Sequence, residues 1–93
     1  MSKIKKLKLI EGEFPHTEAK DILYNIFHTK INFHQQNNFS SRIRLGMEDP
    51  TAIKRIPALN AELVKLASIL NEAEAQNKKL SINAEILISF IDE

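Results

Sequence analysis

Cysteine and tryptophan are absent from the chain, and only two glycines and three prolines interrupt its 93 residues. Without thiols there is no disulfide framework, no thiol nucleophile and no cysteine-ligated zinc or iron–sulfur site. No apolar run approaches the ~18 residues of a membrane span, and the lysine-rich opening lacks the unbroken apolar segment of a signal peptide. The expectation is a soluble, cytoplasmic protein with no membrane partner. A net charge of +1 is too small to make the whole molecule a polyanion binder, so any such role must rest on local clustering. Gly-rich phosphate loops, nucleophile turns and internal repeats are also missing. What remains is an ordinary globular composition, 43% apolar and 27% charged, long enough for one domain over residues 1–93.

The strongest pattern is a long helix over Asp49–Asn77. Ala52, Ile53, Ile56, Leu59, Leu63, Leu66, Ala67 and Leu70 recur at helical spacing and form a wide core stripe, broader than a coiled-coil seam. Asp49 is a candidate cap and Pro50 fits the first helical position. Pro57 lacks an N–H and presses on the carbonyl of Ile53, which predicts a kink or a short helix 50–56 followed by a longer one.

A first helix starts near Thr17 and runs to about Asn37. Ala19, Ile22, Leu23, Ile26, Phe27 and Phe33 share one face, with Ile26 and Leu63 among the expected core. Residues 38–48 read as a connection in which Ile43, Leu45 and Met47 alternate with Arg42 and Arg44 in an extended segment.

Strands flank the helices. Over Lys3–Phe14, Leu7 and Leu9 alternate with Lys6 and Lys8, and Ile10 falls on the other face; Lys3, Lys5, Lys6 and Lys8 suit a guarded sheet edge. Leu80, Ile82, Ala84, Ile86, Ile88 and Phe90 alternate with Ser81, Asn83, Glu85 and Ser89. The expected fold is therefore α+β, in the order β-α-α-β, with an antiparallel two-stranded sheet packed on a long antiparallel helical hairpin. The even face of the last strand, with Leu7 and Leu9, is expected to meet the helical stripes. Such a unit leaves both sheet edges open and is too elongated to wrap its own core, so dimerisation is expected to complete it.

Candidate chemistry is sparse. His28 and His34 lie about 120° apart around a helix and His16 sits at its far end, so no metal site is expected. No carboxylate spacing singles out an acid–base pair, and neither a catalytic residue nor a cofactor is assigned. The one local conflict with the apolar pattern is at the loop end of the hairpin. There Lys30, His34, Ser40, Ser41, Arg42, Arg44, Lys54 and Arg55 form a candidate anion or ligand site beside a helix N-terminus.

The leading reading is a small self-associating interaction module without catalysis, a homo-oligomer with a dimer favoured and with room for a protein partner. The alternative is binding of a phosphate ligand or a nucleic-acid backbone through the basic segment 40–55, and a third reading is an enzyme assembled across a dimer interface near Lys30 and His34.

Overall fold

A computed structural model describes residues 3–92. Its elements are β1 (Lys5–Phe14), α1 (His16–Leu45), α2 (Pro50–Ala75) and β2 (Leu80–Ile88), with β1 and β2 antiparallel in one two-stranded sheet. This is the expected β-α-α-β arrangement of a ribbon and a helical hairpin.

Both helices are delimited by local chemistry. Pro15 precedes α1, and its carbonyl accepts the Ala19 N–H at 2.9 Å. Gly46 ends α1 in the left-handed region, φ 68°, donating its N–H to the Arg42 carbonyl at 2.9 Å; a side chain there would meet strain from the backbone alone. At the far end of α2, Asn77 takes φ 52°, the Asn77 N–H reaches Glu74 O and the Lys78 N–H reaches Ala73 O. That pair of bonds is the Schellman closure, with asparagine in the place usually held by glycine. Asp49 flanks α2 as foreseen, but its carboxylate makes no cap bond. Pro57 does not divide α2, which is one helical element from Pro50 to Ala75.

Two expectations about the helices are corrected. The first concerns residues 38–45, which are helical rather than extended, so α1 is eight residues longer than the pattern indicated and the connection shrinks to 46–49. The second concerns the stripe on α2. Its covered positions are Ala52, Ile56, Leu59, Leu63, Leu66, Leu70 and Ala73, with Ala67 alongside: spacings of four and three in strict alternation, the mark of a narrow coiled-coil seam. Phe27, Ile31, His34, Asn38 and Ser41 follow the same rule on α1. One partner helix can cover only one such seam. Ile53 therefore stays exposed, and Ile26, placed in the core by its periodicity, is 38% exposed on the outside of α1.

The sheet holds a further correction. Lys8 pairs with Glu85 and Ile10 with Ala84, so Leu9 is an extra residue, a β-bulge. The bulge shifts the alternation by one and brings Leu7 and Ile10 onto the same face as Ile86, Ala84, Ile82 and Leu80. Without it, Leu7 and Ile10 would point oppositely. Phe14 belongs to this face too, and its ring folds back over Gly12, 3.4 Å from where a Cβ would stand. The other face is polar apart from Leu87, which pairs with Lys6, and there Lys8 Nζ bonds Asn83 Oδ1 at 3.0 Å and Glu85 Oε1 at 3.4 Å.

The covered part of the ribbon runs from its root out to Ile10 and Ala84. Phe14, Leu80 and Ile82 pack on the cluster of Ala19, Leu66 and Leu70, together with Leu23, Tyr24, Phe27 and Leu63. Farther out, Leu7 is 54% exposed, and Leu9, Ile86 and Ile88 are exposed as well, so the expected contact of Leu7 and Leu9 with the helices is not made. The extents of 50 × 36 × 15 Å explain why. A 30-residue helix accounts for about 45 Å of the first dimension, but two helices side by side span only about 20 Å of the second. The ribbon extends to the side of the hairpin instead of lying beneath it.

Leu66→Ala and Leu70→Ala, in the seam, should each cost about 2–5 kcal/mol. Val64→Ala, at a position 72% exposed, should change stability by no more than about 0.5 kcal/mol. Denaturant midpoints for the three variants check this; comparable losses at all three would show that the seam is not the main stabiliser.

Candidate functional site

The sequence-derived candidates lie along the loop end of the hairpin, and the structure divides them into three settings. Asn38, Ser41 and Arg42 stand at i, i+3 and i+4 on α1 and face the short connection. Asn38 Nδ2 donates to Glu48 Oε2 at 2.5 Å, and Asn38 Oδ1 accepts the Asp49 N–H at 2.7 Å. Ser41 Oγ donates to the Met47 carbonyl at 2.8 Å. Arg42 Nε donates to Glu48 Oε1 at 2.6 Å, and a second guanidinium nitrogen approaches the same oxygen. Three side chains thus hold residues 47–49, and Ser41 and Arg42 are engaged in folding the corner. Asn38, which sequence reasoning passed over, is its central member because one amide satisfies both Glu48 and the first backbone amide before α2. Its spacing from Ser41 and Arg42 was a usable signal, but only for a helix that continues past residue 37.

The Glu48 carboxyl is held below its ordinary value, first by the hydrogen bond from Asn38, then by the hydrogen bond from Arg42 and by that residue's charge. Arg44 and Ser41 line a shallow cleft of about 320 Å³ with Asn37, Leu45 and Asp49. The lining holds one guanidinium and one carboxylate, so it carries no surplus of positive charge to recruit an anion. Ser40 is half-buried on α1, and Lys54 and Arg55 are exposed on the first turns of α2.

Lys30 and His34 are in different surroundings. Lys30 Nζ sits 4.6 Å from the centroid of the Phe33 ring on the outside of α1, a cation–π contact, beside an open cleft that includes Ile26 and Thr29. His34 is turned into the helix seam, only 4% exposed, with the Phe33 ring edge-on at 5.4 Å. Neither of its ring nitrogens has a hydrogen-bond partner among the described residues. A buried imidazole without such partners weakens the seam at that layer.

Among the described residues no three His, Asp or Glu side chains gather to hold a metal ion, and no helix is long and apolar enough to cross a membrane. No known protein family, curated protein or solved structure matches the chain.

Two outcomes are expected. The Glu48 pair stabilises the fold fully above the carboxyl's unfolded value of 4.5 and loses its effect as pH falls through the lower folded value. Glu48→Gln should therefore narrow the stability difference between neutral and acidic pH; identical pH profiles for wild type and variant in urea titrations would contradict the corner geometry. His34→Leu replaces an uncompensated imidazole with an apolar side chain and should raise stability by about 1 kcal/mol or more at neutral pH, read as a higher denaturant midpoint.

Proposed function

We propose that this protein is a self-associating interaction module that works by presenting surfaces and has no chemistry of its own. The observation that carries this reading is the surface it leaves uncovered. The chain exposes 7574 Å², whereas a folded monomer of its 10.6 kDa mass exposes about 5,500 Å². Its radius of gyration of 16.8 Å likewise exceeds the roughly 12 Å of a compact chain of this length.

Much of the excess is apolar. Leu7, Leu9, Ile86, Leu87 and Ile88 are exposed along the ribbon, and Phe33, Ile53, Val64 and Ile69 along the helices. A thin slab with one narrow seam and a lateral ribbon buries little per residue, and association is the direct way for such a chain to cover more. The alternative, anion binding through residues 40–55, draws less support because Ser41 and Arg42 are spent on the corner and Arg44 shares its cleft with Asp49.

Sedimentation equilibrium at micromolar concentration should return at least twice the 10.6 kDa chain mass. A monomer at that concentration would remove the proposal.

A further inference from the structure

Resting on the self-association just proposed, we infer that the partner is a second copy of this chain and that the two copies join edge to edge through β2, giving a four-stranded sheet β1-β2-β2-β1. The two free edges of the ribbon differ in kind. Exposed strand edges are normally guarded by lysines or bulges, and β1 has both, with Lys5, Lys6 and Lys8 along it and the bulge at Leu9. A two-fold pairing of β1 would also crowd the lysines of both copies. β2, Leu-Ser-Ile-Asn-Ala-Glu-Ile-Leu-Ile, has no lysine, proline or bulge, and a single charge at Glu85. It is the unguarded edge.

The sequence of β2 suits pairing with itself. With a two-fold axis at Ala84, Leu80 lies opposite Ile88 of the second copy, Ile82 opposite Ile86, Ser81 opposite Leu87 and Asn83 opposite Glu85. Every residue of the strand is used, and the apolar face of one copy continues into that of the other. Shifting the axis to Glu85 would set two carboxylates directly opposite each other. An axis between residues would join the apolar face to the polar one. The Ala84 axis avoids both.

This register also accounts for the bare tip of the ribbon. Because Ile88 lies beside Leu80 of the second copy, the tip of one ribbon reaches the root of the other. At that root Ile69, Ala73 and Leu80 line a cleft of about 230 Å³ together with Glu72, Gln76, Lys78 and Lys79. Phe90 and Ile91, exposed beyond β2 in the single chain, continue toward this cleft, since the same register sets Phe90 opposite Lys78 and Asp92 opposite Gln76 of the second copy. Phe90 and Ile91 thereby gain the apolar surface that Ile69, Ala73 and Leu80 provide in the cleft. A standard interface covers about 800 Å² per partner, well within the surface excess of each chain.

The absence of cysteine makes the test direct. Ala84→Cys should form a disulfide-linked dimer under mild oxidation at micromolar concentration, whereas Lys6→Cys, three strand spacings from its counterpart, should not. On the unsubstituted protein, isotope-filtered NMR of a mixed labelled and unlabelled sample should show intermolecular contacts between Ile82 and Ile86. Phe90→Ser should raise the dimer dissociation constant by about tenfold or more and leave the far-UV circular dichroism of the chain unchanged. A dimer that crosslinks at residue 6 and not at 84, or that shows no Ile82–Ile86 contact, overturns this interface while leaving self-association standing. A monomer in sedimentation removes both.

Discussion

The structure depends on the narrow seam between α1 and α2. Each helix offers more apolar surface than one neighbour can cover, but the seam alternates steps of three and four residues along both. That alternation lets two helices stay in register over most of their length with modest side chains. At the closed end of the hairpin the seam is polar: Asn38 and Ser41 take positions that Leu and Ile hold elsewhere and turn inward packing into hydrogen bonds to residues 47–49. The connection can therefore be short, because side chains on α1 supply partners for the backbone that precedes α2. His34 lies between these two regimes, buried like an apolar residue but without the bonds of the polar layer.

At the open end the seam broadens to receive the ribbon. Ala19, with no exposure, admits close approach, and Phe14, Leu80 and Ile82 fill the space around Leu66 and Leu70. Burial of the ribbon reaches from its root out to Ile10 and its partner Ala84, and the tip beyond them is held by its own pairing. A two-stranded ribbon is marginal alone in water. Here the cross-strand bonds of Lys8, the bulge that aligns its apolar face and the anchored root sustain it, while the tip keeps apolar side chains in solvent. The same lateral placement that leaves the tip bare also gives the molecule its large surface for its mass.

Cations are distributed in keeping with an interaction role more than a ligand site. The lysines of β1 guard one edge, Arg42 closes the corner, Lys30 covers an aromatic ring, and Lys78 and Lys79 follow the Schellman turn beside a cleft. The candidate residues of 40–55 do not converge on one cavity: Arg44 lines a cleft, Lys54 and Arg55 are exposed along α2, and Ser40 belongs to α1.

Element order, antiparallel pairing and the hairpin were legible in the chain because they follow from period alone: 3.6 over residues 50–75 and two over 80–88. Pro15, Pro50 and Asn77 marked ends for reasons local to the backbone. Other features were decided by tertiary contact. Residues 38–45 alternate like a strand, yet they are helical because Asn38, Ser41 and Arg42 gain partners across the corner only on a helix. The wide stripe of α2 became a narrow seam because a single partner helix covers it, which left Ile53 outside, and the same limit on α1 left Ile26 outside. The bulge at Leu9 re-aimed Ile10, a change that alternation cannot announce because it is the breaking of alternation. Periodicity reports which side chains avoid water; how much of that surface is covered depends on how many neighbours the fold supplies, and this chain supplies one helix and the root of a ribbon.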